Sequence, residues 1–446
     1  MRRLLLAAGA AGAIAFASPA PALAQAPAPR PGARFDTSTV AFDTGGVHVI
    51  LRRNPANNVV TVNLYLLGGT QMLTPATAGI ETFLLFLSER GTAHYSRDAL
   101  RRKTAALGSG IVIEPRDDWT MFGFRGVRAT FDSTWAIWSD RLTAGTLDTT
   151  EIEFIRAQVL AAVKQREDSP DGLVHLLADS ARFAGQPYAI ISSGTDPSVS
   201  SFTAPQLAEW RAAKLVTSRM LLVVVGNVER ERVARSVMQT LGKLPRGDYT
   251  WTPPTAAPAT PGPAVLVSRR LPTNYLLGSY IGPPASSSDA SALRVATSVL
   301  TGRLFSEVRT RRNLTYDVDA PFDERAIITG GLYVTTVYPD SVLEIMRRQT
   351  ERLKRQLVDP EQLRVAEQQF ITEFYLHNET NAEQANQLAR AQVYGGDYRH
   401  ADRFALDIHA VTPTAVQYVA MRYMRGFVWA YVGDTLRVTR AKLEGF

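Results

Sequence analysis

The sequence predicts an α+β protein made of two similar domains, each a mainly antiparallel sheet with helices packed on one face. Three observations lead there. Segments of the first half recur in the second at a near-constant offset of about 210 residues, which marks an internal repeat. Within each half, strand patterns come first and long helical patterns follow. A proline-rich stretch, "WTPPTAAPATPGPA" from Trp251 to Ala264, lies between the halves as a linker would.

Taken in order, the chain opens with "MRRLLLAAGAAGAIAFA", two arginines followed by an apolar run, and then "ALA" at Ala22 to Ala24. That pattern predicts a secretory signal over residues 1–24, cut before Gln25, and hence export to the periplasm. Residues 25–34, "QAPAPRPGAR", are a proline-rich spacer too poor in apolar side chains to pack. The first domain is expected over residues 35–250. It begins with "VHVILRRNPANNVVTVNLYLLGG", two strands around the turn Asn54 to Asn58. "DDWTMFGFRGVRATF" alternates apolar and polar residues as a half-buried strand does.

Then "FDSTWAIWSDRLTAGTLDTTEIEFIRAQVLAAV" reads as two helices, the second capped by Asp148. The linker is assigned to residues 251–264 and the second domain to residues 265–446. There "YPDSVLEIMRRQTERLKRQLVDPEQLRVAEQQF" repeats the helix pair, with Asp359 as the cap. "GGDYRH" around Tyr398 repeats "GQPYAI" around Tyr188, and "FVWAYVGDTLRVTRAKL" repeats "MLLVVVGNVERERVARSV".

Composition narrows the functional classes. The 446 residues are 45% hydrophobic and 20% charged, as in globular proteins, and include no cysteine. Disulfides, thiol catalysis and cysteine-ligated metal are thereby excluded. Losing Arg2 and Arg3 with the signal takes the formal charge from +7 to +5, spread along the chain, which argues against nucleic acid as a partner. No membrane span is expected in the mature chain. The six histidines, His48, His94, His175, His377, His400 and His409, include no i, i+4 pair. There is no Gly-x-Ser-x-Gly elbow to support a serine hydrolase.

The stretch "GIETFLLFLSERGT", Gly79 to Thr92, reads first as a buried helix: Ile80, Phe83, Leu84 and Leu87 form one apolar face, and Leu85 and Phe86 make the other face apolar too. Its surroundings say more. A strand ending in "LGG", a loop, Gly79, this helix, Gly91–Thr92, a second helix and a strand follow one another in an order that resembles the insulinase (pitrilysin) family of zinc metallopeptidases. That family frames its motif helix as G-x-A-H-x-x-E-H-x-x-F-x-G-T. In this register the two histidine positions fall on Thr82 and Phe86, and the glutamate position on Leu85. The family's third ligand, a later glutamate, is best matched by Ala162. Two imidazoles at i and i+4 can share one Zn²⁺, and the glutamate beside them takes the proton from metal-bound water. Threonine, leucine, phenylalanine and alanine can do neither. The resemblance therefore implies a half-clamshell of the insulinase kind with no metal in its own zinc position.

In the second half, "GRLFSEVRTRRNLTY" resembles the family's S-R-L-F-x-x-(L/V)-R-x-x-x-G-L-x-Y segment, with Arg309 and Tyr316 at the Arg and Tyr positions and Asn313 in place of glycine. Asn is the next most tolerant residue for a left-handed turn. By the resemblance, Arg309 and Tyr316 hold the substrate carbonyl at the zinc site of the opposite half. Read from spacing alone, the same residues serve equally well as a macrodipole-complementing Arg and a sheet-packing Tyr. Arg311 and Arg312 read as solvated charges. The resemblance implies a non-catalytic subunit of an exported heterodimeric peptidase whose zinc-bearing partner subunit cleaves peptides. The alternative is a structural or peptide-binding homologue with no role in hydrolysis.

Overall fold

The structure is a computed structural model that describes residues 38–256 and 260–446. The expected signal and spacer lie outside the described residues, as do residues 257–259 of the expected linker. The first half runs β1 (Thr39–Thr44), β2 (Val47–Arg53), β3 (Val59–Leu67), α1 (Ile80–Leu87), α2 (Arg97–Ala106), β4 (Gly110–Pro115), β5 (Trp119–Val127), α3 (Phe131–Ala144), α4 (Thr149–Asp168), α5 (Pro170–Arg182), α6 (Asp196–Ser201), α7 (Ala204–Lys214), β6 (Met220–Gly226) and α8 (Arg230–Gln239). The second runs β7 (Val265–Ser268), β8 (Asn274–Pro284), α9 (Asp289–Leu304), β9 (Thr315–Asp319), β10 (Phe322–Asp323), β11 (Ile327–Thr336), α10 (Pro339–Arg355), α11 (Pro360–His377), α12 (Asn381–Gly395), α13 (Phe404–His409), α14 (Pro413–Tyr423), β12 (Val428–Gly433) and α15 (Arg440–Glu444).

Each half contributes one sheet, and the two sheets are built alike. The first has the order β1-β2-β6-β3-β5-β4 and the second β10-β11-β8-β12-β7, with β9 also on β11. In both, the last strand of the half inserts between two earlier ones, β6 between β2 and β3, β12 between β7 and β8. The pairs β2–β6 and β7–β12 are parallel and the other pairs antiparallel. This is the α+β architecture that the sequence predicts. The repeated caps are present as well: Asp148 accepts from the amides of Thr150 and Glu151, and Asp359 from that of Glu361. Each satisfies amides that the first helical turn would leave unpaired.

The expected helical layer covers one face of each sheet. Val62, Leu64, Phe122, Phe124, Leu222 and Val224 pack against Trp135 and Trp138 of α3 and Val233 and Val237 of α8. In the second sheet, Leu276, Leu332, Val334 and Trp429 meet α9, α10 and α14. The opposite faces are not left open. Ile50, Tyr65, Met121, Leu221, Val223 and Val225 of the first sheet are covered by Ala385, Leu388, Ala389 and Val393 of α12. Leu277, Tyr333, Ala430 and Val432 of the second are covered by Val174 and Ala178 of α5. Each half thus lends one helix to the other's sheet. The expected linker is pinned at its start, where Trp251 packs beside α12 and its Nε1 donates to the carbonyl of Val393 at 3.1 Å.

Candidate functional site

Helix α1 is set by backbone geometry before any chemistry. Gly79 precedes it at φ 83°, in the left-handed region. A Cβ there would fall 2.5 Å from the Cα of Gly194, so only glycine fits. The glycine that frames the helix therefore has a structural reason to be present whatever the helix carries.

The four motif positions end up in different environments. Thr82 is buried, and its hydroxyl donates to the carbonyl of Ser192 at 2.9 Å. Leu85 is buried in the core of the first sheet, and Phe86 is half-buried against the cluster of Ile80, Phe83 and Leu87. Ala162 is exposed on α4. Zinc needs imidazole, thiolate or carboxylate donors, and these four side chains offer one alcohol, already engaged; they do not fit the ion. The two helices are tied by another device. Arg166 of α4 donates to the Ser193 hydroxyl at 2.7 Å and to the Gly194 carbonyl at 3.0 Å, so α1 and α4 both grip residues 192–194. Beside Thr82, Glu81 stands where the family pattern has alanine. It is buried and paired at 2.8 Å with Arg219, which also donates to the carbonyls of Leu67 and Lys214.

The second-half segment is the reverse case, with its polar groups turned outward. After α9 the chain continues as one π-helical stretch, Phe305–Thr310. Asn313 then takes φ 51°, the one positive value outside glycine among the described residues. The amide of Asn313 donates to the carbonyl of Arg309 at 3.0 Å, closing the turn. Arg311 and Arg312 are exposed, as expected of solvated charges, but both clamp the carboxylate of Glu307 and hold its pKa below the usual range. The guanidinium of Arg309 is left over. It lies 5.1 Å from the centre of the Phe305 ring and 5.2 Å from that of Tyr316, and has no hydrogen-bond or ion-pair partner among the described residues. Tyr316 is 82% exposed, so it is not a sheet-packing tyrosine.

Sequence reading missed a polar knot between the halves. Arg325, before β11, is buried and contacts Asp117 at 2.8 Å, Asp179 at 3.0 Å and Asp323 at 2.5 Å. Next to it, Asp118 accepts from the hydroxyls of Tyr188 at 2.6 Å and Tyr394 at 2.8 Å and from the amide of Ala326 at 2.8 Å. Burial pushes the Asp117 carboxyl up to about 7, against the pull of Arg325 and helped by the neighbouring aspartates. The adjacent acids of "RDDW" were visible, but a partner some 208 positions away cannot be read from spacing. A second missed feature is a groove of about 1050 Å³ in the second half, bordered by Arg294, Glu324, Phe370, Phe374, Arg390 and Tyr394.

The sheet order, the helix exchange and the framed helix α1 define a fold of the insulinase type, and the comparisons with known proteins agree. Residues 48–196 match the family described as Insulinase (Peptidase family M16), and residues 201–370 the one described as Peptidase M16 inactive domain. This chain belongs to the insulinase family. It is 25% identical over 388 residues to an uncharacterized zinc protease of Mycobacterium leprae, covering 84% of this chain and 87% of that one. It is 23% identical over 417 residues to the mitochondrial cytochrome b-c1 complex subunit 1 of Caenorhabditis elegans, covering 87% and 86%. The crystal structure of a peptidase M16 inactive domain from Pseudomonas fluorescens superposes with a TM-score of 0.81 at 18% identity, covering 89% of this chain and 98% of that one.

Proposed function

We propose that this chain is the non-catalytic subunit of an exported, heterodimeric insulinase-like peptidase. Its partner carries the zinc motif, and this chain completes the peptide chamber and supplies Arg309 and Tyr316 to the partner's metal site. One contrast carries the reading. The positions for metal and base hold Thr82, Leu85, Phe86 and Ala162, with no free donor, while Arg309 and Tyr316 stand exposed against each other on either side of a turn braced by Glu307, without a hydrogen-bond or ion-pair partner among the described residues. A guanidinium fixed beside a phenol can hold a carbonyl oxygen as negative charge develops on it. Among the described residues no helix is long and apolar enough to cross a membrane.

The test is co-expression with a zinc-motif subunit, followed by Arg309→Ala. Peptidase kcat in the assembled pair should fall by about 100-fold, the order seen when one oxyanion donor is removed. Unchanged activity in a correctly assembled pair defeats the assignment.

A second reading is favoured by the likeness to a cytochrome b-c1 complex subunit and by the mixed-charge groove of the second half. In it the chain is a structural or peptide-binding homologue outside any hydrolysis. Native size discriminates: a self-associated species with no peptidase partner supports this reading, and co-purification with a zinc-motif chain supports the first.

A further inference from the structure

One buried cation in the first half lacks a close counter-ion. Arg141, in the last turn of α3, has 8% of its side chain exposed. Its Nε donates to the hydroxyl of Ser88 at 3.2 Å. Among the described residues its one ion-pair partner is Glu89, 4.0 Å away on a side chain that is 68% exposed. The carbonyl end of α3 offsets part of the charge. The Phe122 ring, 5.8 Å from the guanidinium carbon, offsets some more, yet with no carboxylate closer than 4.0 Å burial still pushes the pKa of Arg141 down to about 10. A buried charge of this kind is costly unless something pairs with it.

The same guanidinium borders a cavity of about 40 Å³ beneath α1. The buried side chains of Leu85 and Leu142 line it with Arg141, and the half-buried Trp210, Arg211 and Lys214 belong to the part of the wall that water reaches. Arg211 is tied to the carbonyl of Gly145, and the ammonium of Lys214 lies 6.0 Å from the centre of the Trp210 ring. Glu81 also borders the space, but its carboxylate is held by Arg219 at 2.8 Å. The lining therefore presents surplus positive charge beside apolar walls. By this measure one water takes about 10–15 Å³, so the enclosed part holds roughly three water-sized groups, the size of a carboxylate head, and the rest of a ligand lies in the open mouth of the pocket.

We propose that this cavity binds a small aliphatic monocarboxylate, its carboxylate on Arg141 with Lys214 on the wall that water reaches and its carbon chain against Leu85 and Leu142. The reading is independent of the zinc-site proposal, since it needs no partner chain. Two sources share the chemistry: a free short-chain acid, and the C-terminal carboxylate of a peptide ending in a small aliphatic residue.

The test titrates the full mature chain with butyrate, with the tripeptide Gly-Gly-Val and with neutral butyramide, by calorimetry and ligand-observed NMR. Saturable 1:1 binding of butyrate or the tripeptide, at least tenfold tighter than butyramide, supports the site, and whichever binds tighter identifies the source. Arg141→Met should abolish binding without lowering the melting temperature, because it removes a poorly compensated buried charge. Lys214→Ala, at a half-buried position, should weaken binding several-fold and guards against an Arg141 variant that fails to fold. Equal binding of butyramide, binding unchanged in both variants, or no saturation by either carboxylate up to tens of millimolar overturns the proposal.

Discussion

Asn313 shows how a single residue ties sequence to site. Its φ of 51° is one that β-branched side chains avoid, and it closes the turn from which Arg309 projects. Asn313→Gly should leave stability nearly unchanged, and Asn313→Val should cost about 1–2 kcal/mol in urea unfolding. Thr82 makes the complementary point. Its hydroxyl bonds the Ser192 carbonyl inside the fold, so Thr82→Val should cost about 1 kcal/mol, a loss that chelators do not reproduce. The absence of donors at Thr82, Leu85 and Phe86 was legible because residue type alone decides it. The clamp of Arg311 and Arg312 on Glu307 was not, since a run of like charges looks solvated until a carboxylate is seen between them.

At the scale of elements, the two exchanged helices matter most. Leu388 of α12 is fully buried on the first sheet although it belongs to the second half. Leu388→Ala should destabilise by about 2–5 kcal/mol, read as a shifted denaturant midpoint. Separated at the linker, each half would expose an apolar sheet face; expressed alone, each should aggregate or lack dispersed amide signals, while co-expression restores both. A hint of this was present in the sequence. "LLVVV" in β6 is apolar at every position, as in a strand buried on both sides, whereas strands with one wet face alternate. Which helix would cover the second face was unreadable, because α5 and α12 carry the same kind of pattern as helices that stay within their own half.

At the scale of the whole fold, the two halves are also joined at the Arg325 knot, where Asp117, Asp179 and Asp323 pair with one guanidinium and Asp118 lies beside it. Asp117 in the folded chain titrates at about 7, above the ordinary 3.8, so between those values the native state keeps a proton that the unfolded chain has lost. The stability this group contributes is present below about pH 4 and is lost as pH rises through 7. Asp118 and Asp179 are shifted upward as well, burial being the leading cause, and act in the same direction. The urea midpoint should therefore fall between pH 5 and pH 8, and Asp117→Asn should flatten that slope. Arg325→Ala should cost about 1–3 kcal/mol: it removes the buried cation that Asp117, Asp179 and Asp323 share, but those carboxylates are partly exposed and water can solvate them in its place.

By itself the sequence determined the two-fold repeat, the strand-then-helix order, both acidic caps and the residue types at Thr82, Leu85, Phe86 and Ala162. Each of these depends on local periodicity or on residue type at one position. Only the tertiary structure decided that the halves exchange helices, that Arg325 gathers aspartates from both, and that Arg309 rests on aromatic rings while Arg311 and Arg312 hold a carboxylate. Those outcomes rest on which surfaces meet across long stretches of chain, and burial and pairing across such distances leave no period to read.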